Sequence, residues 1–298
     1  MDRRGLLRGS TATVLAGLGG WLRASAAESA KVSSGTGRVS RQPVVFVGHG
    51  SPMNAIEANP FTQTLGEWGK RLGHPRAVLV ISAHWLTEGE TAVSIAPTQQ
   101  LIYDFEGFPD DLYRVTYPAR GSPAAAGRAA TLVQIARAEG RMRGLDHGAW
   151  TVLKHMFPRA DVPVFQWSID ITQPARYHHA IGEALADLRE EGVLVMGSGN
   201  VVHNLRRTAR GQQATTRGLT EWADRFDQGV KAAIDVGDVG ALINYQRISP
   251  GADVAVPFPD HYFPLLFAMG ATRSDDRATH VYEGFQAGTL SMRCVEWS

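Results

Sequence analysis

Residues 44–52 read VVFVGHGSP. Three valines and a phenylalanine run into Gly48, and His49 follows at once. A short apolar run closed by a glycine-bearing turn reads as a buried strand whose C-terminal tip opens onto a crevice. The pattern returns in VLVISAHW at 78–85, where His84 follows the run. It returns again in VLVMGSGNVVHNL at 193–205, where His203 closes the turn. A fourth histidine, His261, opens an apolar helical stretch, FPDHYFPLL at 258–266, and a fifth, His147, lies in LDHGAW at 145–150. Three strand tips of one kind converge if their strands are parallel neighbours, because parallel crossovers bring successive tips to one edge.

Working outward, the chain alternates strand and helix. Strands are expected over 43–48, 77–82, 91–96, 162–169 and 193–197. Helices are expected over 59–72, 122–139, up to 157, 174–191 and 219–235, with a last one starting at Asp260 as its N-cap. HVYEGFQ and LSMRCVEW alternate and read as closing strands. This order predicts one α/β domain over 43–298, with a largely parallel central sheet and helices on both faces. Residues 97–121 are long for a plain connector and rich in aromatics and turn formers, which predicts a lid or a pocket wall.

The 298 residues are 44% hydrophobic and 20% charged, an ordinary globular composition with length enough for a sizeable core. No linker, repeat or low-complexity tract divides the body. The single cysteine, Cys294, excludes an intramolecular disulfide and any CxxC metal site.

The N-terminus differs in composition. Arg3 and Arg4 precede an apolar stretch from about Thr11 to Leu22, and Ala24-Ser25-Ala26 offers a small-residue cleavage site. This layout predicts a Tat-type signal peptide over 1–26, with the Tat export machinery as a partner and a periplasmic location. The stretch is too short and glycine-rich for a stable membrane span. Residues 27–42 are polar and predict a disordered leader. Removing 1–26 takes four arginines and one aspartate from 30 basic and 29 acidic residues, leaving 26 against 28. That balance provides no polyanion-binding surface, so no nucleic-acid partner is expected.

Histidine is the commonest metal ligand and the commonest general base near neutral pH. A metal site needs three or four ligands, with one position open if it is catalytic. His49 and His84 are the best-placed pair, since each follows a strand directly. The remaining histidines, His74, His155, His178, His179 and His280, lack that setting; His178 and His179 read as an ordinary helix face. GHGSP lacks the GxSxG of a nucleophile elbow, and GSGN fails the GxGxxG register. Glu57, Asp104 and Asp260 are the candidate carboxylates for such a site, with solvated or capping roles the ordinary reading of each.

Seven motifs together resemble the 4,5-DOPA extradiol dioxygenase family, within the class III extradiol ring-cleavage dioxygenases. They are GHGSPMNAIE (48–57), SAHW (82–85), YDFEGFP (103–109), YPARGSP (117–123), LDHGAWTVLKHMFP (145–158), SGNVVHNLR (198–206) and DHYFPLL (260–266). In family order they cover nearly all of residues 43 to 295. The resemblance implies ring opening of a DOPA-like catechol by O₂ at a non-haem divalent metal, with Fe(II) expected. It implies His49, His84 and His261 as metal ligands, His203 as a further ligand or a proton-handling group, and His147 as the histidine beside the substrate, acting as acid or base. Trp85, Tyr103, Phe105 and Phe108 are expected to pack against the ring or within the core. An all-histidine donor set also suits Zn(II). A zinc hydrolase on the same scaffold and a non-enzymatic catechol or metal binder are therefore the alternatives. The oligomeric state stays open.

Overall fold

The computed structural model describes residues 40–136, 138–208 and 221–298. The expected signal peptide, 1–26, and the leader through residue 39 lie outside the described residues. Arg41 pairs with Asp275 and Asp276, and the Gln42 N–H donates to the Arg189 carbonyl at 3.1 Å, so the described chain is tied down at its start.

The first elements are β1 (Val44–Gly48), α1 (Pro60–Leu72), β2 (Ala77–Thr87) and β3 (Thr91–Ser94). Next come α2 (Asp110–Tyr113), α3 (Pro123–Leu132), β4 (Ala138–Arg141), α4 (His147–Met156), β5 (Val164–Asp170), α5 (Ala175–Leu185) and β6 (Val193–Gly199). The C-terminal part holds α6 (Glu221–Asp235), α7 (Val239–Ile243), α8 (Ala252–Ala255) and α9 (Phe263–Gly270). It ends in β7 (Ala278–Tyr282), β8 (Phe285–Gln286), β9 (Leu290–Ser291) and β10 (Cys294–Trp297).

Eight strands form one sheet in the order β4-β3-β5-β2-β6-β1-β10-β7. The central four, β5, β2, β6 and β1, are mutually parallel. Antiparallel pairing joins β3 to β5, β10 to β1 and β7 to β10. The architecture is the expected single α/β domain, its sheet mixed but mostly parallel. Period-two alternation feeds both faces. Val44, Phe46, Leu79, Ile81 and Val195 join one core with α3, α5, α6 and α9; Val45, Val47, Val78, Val80 and Leu194 join the other with α1 and α4. Burial on both faces is why these strands read as continuous apolar runs rather than alternating ones.

Three expectations need correction. The second strand does not stop at Ser82; β2 runs to Thr87, so His84 and Trp85 are inside it. Ile81 pairs with Trp167 and Leu86 with Ile169, so five steps of β2 match two of β5. That bulge bends the strand out of its ladder and aims His84 off the sheet. The helix expected to reach residue 139 ends at Leu132, and Ala138–Arg141 is instead an edge strand parallel to β3. Sheet pairing overrides a weak alanine-rich helical signal there. Finally, Asp260 caps no helix. Pro259–His261 forms a short 3-10 turn ahead of α9, and Asp260 Oδ1 accepts the neighbouring His261 N–H at 2.7 Å. Among the described residues no helix is long and apolar enough to cross a membrane.

Candidate metal centre

The parallel strands deliver their histidines to one edge. His49 follows β1, His84 sits in the bulge of β2, and His203 lies four residues beyond β6. His147 begins α4, and His261 precedes α9, which packs on β6. The five rings converge. His49 lies 5.1 Å from His84, 5.6 Å from His147 and 5.3 Å from His261, between ring centroids. His84 and His147 are 3.9 Å apart, and His203 stacks on His261 at 3.5 Å with only 3° between planes. Two glycines make the approach possible. A Cβ on Gly148 would meet Ser82 Oγ at 2.6 Å and His84 Cδ2 at 2.9 Å; one on Gly199 would meet the His261 carbonyl at 2.1 Å.

Hydrogen bonding orients the rings. Ser198 Oγ donates to the Gly148 carbonyl at 2.5 Å, so toward His49 Nδ1, 3.1 Å away, the hydroxyl acts as acceptor. His49 therefore carries its proton on Nδ1 and turns the Nε2 lone pair inward. His84 Nδ1 lies 3.2 Å from Asp104 Oδ2, which leaves its Nε2 free as well. The two Nε2 atoms stand 3.2 Å apart. Donors at the usual metal–nitrogen distance of about 2.0–2.1 Å from one ion are separated by roughly 2.9–3.4 Å, so this spacing fits a shared ion. The nitrogens of His49, His84 and His147 all lie within 4.8 Å of one another, and His261 Nε2 is buried with no hydrogen-bond partner. A buried orphan nitrogen beside two converging lone pairs is the chemistry of a divalent-metal site.

Electrostatics keep the donors neutral. Burial holds His49 and His261 well below the ordinary imidazole range, and the neighbouring imidazoles push the same way. Burial, then His147, lowers His84 to about 4 against the opposing carboxylates of Asp146 and Asp104. Burial lowers His203 to about 4 against Asp260. Burial alone would raise Asp104, but its contact with His147 and the two adjacent imidazoles outweigh it and bring it to about 2. Neutral imidazole is the ligand form of histidine.

The aromatic segment is a wall. Phe105 meets His147 edge-on at 5.6 Å, and Phe108 and Tyr103 pack against Phe105 at 5.3 and 6.2 Å. Trp85 does not join it; its ring lies under the Arg143 guanidinium, 5.1 Å away, and lines a cavity of about 460 Å³ that includes none of the five histidines. Glu57 is exposed and lines a separate depression with Lys154 and His155. His178 is buried against Phe263 at 4.1 Å and His179 lies 3.6 Å from Glu183, both away from the cluster. Ser198 was not legible as a functional residue: GSGN reads as a turn, and only the fold brings its hydroxyl to His49.

Comparisons with known proteins agree with this geometry. Residues 14–291 match the family model described as the catalytic LigB subunit of aromatic ring-opening dioxygenase. The chain is 42% identical over 262 residues to the 4,5-DOPA dioxygenase extradiol of Escherichia coli (strain K12), covering 86% of this chain and 95% of that protein. It is 36% identical over 253 residues to the protein of the same name from Beta vulgaris, covering 83% and 92%. A crystal structure of an uncharacterized protein from Escherichia coli K12 superposes with a TM-score of 0.75 at 38% identity, covering 87% of this chain and all of that one. Agreement at this identity across the whole described domain decides the question: the chain belongs to the LigB/4,5-DOPA extradiol dioxygenase family of metal-dependent, ring-opening enzymes.

Proposed function

We propose that the chain opens a DOPA-like catechol outside its diol, adding both atoms of O₂ to give a ring-opened semialdehyde acid. The observation that carries this is the pair of inward-facing Nε2 atoms of His49 and His84, 3.2 Å apart, with three further histidines around them. The relatives named above as DOPA dioxygenases support the substrate class. His49, His84 and His261 hold the metal, and His203 is a fourth ligand or handles protons. When bound, the metal supplies Lewis acidity toward the diol oxygens and, as Fe(II), the redox capacity that O₂ chemistry needs.

The chain's own residues do the rest. The Phe105 and Phe108 rings pack the flat substrate. His147, buried and met edge-on by Phe105, takes a proton from a catechol hydroxyl and returns it later, a role worth about 10²–10⁴ in rate. Ser198 keeps the His49 ring in register.

The direct test is oxygen consumption with catechols after anaerobic Fe(II) loading, read beside the yellow of the semialdehyde. Stoichiometric uptake is expected. The all-nitrogen donor set also suits zinc, so a zinc hydrolase is the competing reading. Ester or amide hydrolysis by the zinc form, with no oxygen uptake by the iron form, would replace our proposal. Catechol binding with neither reaction would leave a binding protein.

We also propose export to the periplasm by the Tat route, supported by Arg3, Arg4 and the Ala24-Ser25-Ala26 site. Changing both arginines to lysine should hold the protein in the cytoplasm. A periplasmic fraction unaffected by that change rules the route out.

A further inference from the structure

Asp104 belongs to neither the ligand set nor the proton-transfer role, yet it touches both. Its Oδ2 lies 3.2 Å from Nδ1 of His84. Its Oδ1 lies 3.0 Å from Nδ1 of His147 and also accepts the His147 backbone N–H at 3.0 Å. At that distance His147 Nδ1 is not aligned for a hydrogen bond, so the contact with its ring is electrostatic while the backbone N–H is hydrogen-bonded. We infer that Asp104 is the positioning residue of the centre, one carboxylate that holds the rings of His84 and His147 so that both present Nε2 to the same point. This rests on the metal reading above.

The chain around Asp104 is built to hold it still. The Ile102 N–H donates to the Leu145 carbonyl at 2.7 Å, and the Leu145 N–H donates to the Gln100 carbonyl at 2.8 Å. Trp150 Nε1 donates to the Ile102 carbonyl at 3.1 Å, and the Tyr103 hydroxyl donates to the Val115 carbonyl at 2.7 Å. The segment before α4 and α4 itself therefore grip the residues just before the carboxylate. An ionised carboxylate has about four lone-pair sites, enough for three donors. A carboxylate behind an imidazole fixes its tautomer and orientation and raises the basicity of the far nitrogen. On His84 that strengthens a ligand. On His147 it favours taking the catechol proton at Nε2, because the positive charge gained faces Asp104 while the catechol oxygen keeps the electron pair.

Asparagine tests this with little change of shape, since its amide oxygen serves one ring and its NH₂ group accepts from neither. Cobalt(II) titration followed by absorption needs no catechol. Asp104→Asn should weaken cobalt binding about 10–100-fold. It should do so by the same factor in a His147→Ala background, because that arm runs through His84. Imidazole ¹⁵N NMR of the metal-free protein should give Nδ1–H tautomers for His84 and His147, with at least one lost in Asp104→Asn and both in Asp104→Ala. Turnover should fall in Asp104→Asn, and at saturating metal the double variant should be no slower than His147→Ala alone. Wild-type cobalt affinity and unchanged tautomers in Asp104→Ala would overturn the inference. If the wild-type enzyme cleaves no catechol, the cobalt and NMR results still decide it, while the proposed function falls.

Discussion

A single hydroxyl decides which nitrogen of His49 faces the centre. Ser198 Oγ has one proton and gives it to Gly148, so His49 must donate from Nδ1. Ser198→Ala should lower metal affinity about 10–100-fold, as loss of a hydrogen-bond partner behind a ligand does. Competition with a chromophoric chelator measures this, and an unchanged constant would show that the tautomer is set elsewhere. The division of labour among the other rings is open to a similar comparison. Elemental analysis should find most of the metal gone from His261→Ala and near-normal content in His147→Ala, with turnover of the latter down about 10²–10⁴. The converse pattern would exchange the two roles, which the closeness of the His147 nitrogens to His49 and His84 makes a real test. Asp104 and Ser198 differ in legibility. Asp104 is visible in YDFEGFP as a carboxylate near the motifs, but its partners are 20 and 43 residues away and no local pattern names them.

At the scale of elements, α4 is the hinge between core and centre. Its N-cap, Asp146, is wholly buried. Asp146 accepts from the Ala149 N–H, from Ser82 Oγ at 2.6 Å and from Gln166 Nε2 at 3.0 Å, and it pairs with Arg143 at 3.3 Å. One residue thus starts the helix that carries His147 and braces the bulged strand that carries His84. Asp146→Ala removes the cap and strands buried donors, so stability should drop by roughly 2–4 kcal/mol. Urea unfolding measures it, and a loss below 1 kcal/mol would mean that the bulge stands without this brace. Gly148, the second residue of the same helix, has a different job. Gly148→Ala inserts a methyl group between Ser82 and the His84 ring, and the overpacking should cost about 1–3 kcal/mol and displace the ligand. Metal binding should suffer more than the melting temperature. A variant that binds metal normally would show that the rings shift freely.

Across the whole molecule, the sheet gathers neutral histidines into a dry interior, and that has a pH cost. His84, His203 and His178 are lowered to about 4 chiefly by burial, and burial likewise holds His49 and His261 well below the ordinary imidazole range. The unfolded chain binds these protons near 6.5. Between about 6.5 and 4 the unfolded state therefore holds more protons, so stability rises with pH. It is fully present above that window and is lost as the pH falls through it. Asp104 acts at lower pH, between its ordinary value of 3.8 and about 2, and offsets nothing in the window. Chelator-treated protein should accordingly melt at steadily lower temperature from pH 6.5 to 4.5. His178 separates this effect from the metal centre, because it packs against Phe263 instead. His178→Leu should reduce the slope of unfolding free energy by one proton, about 1.4 kcal/mol per pH unit, with metal affinity unchanged. An unaltered slope would mean that His178 titrates normally in the fold.

The sequence by itself determined the class of fold and singled out the five histidines that the structure brings together. Apolar runs such as 44–48 and 193–199 are buried on both faces, and only a covered, mostly parallel sheet satisfies that. The chain order then sends their tips to one edge, where histidines at 49, 84 and 203 must be neighbours. Tertiary structure alone decided the rest. Where β2 ended depended on a bulge against β5, and whether residues 138–141 were helix or strand depended on an edge of β3; neither partner is local. The tautomers of His49 and His84 were set by Ser198 and Asp104, which come from elsewhere in the chain. Strand burial is written in each residue's own hydrophobicity, whereas hydrogen-bond direction exists only between atoms that the fold has already brought within about 3 Å.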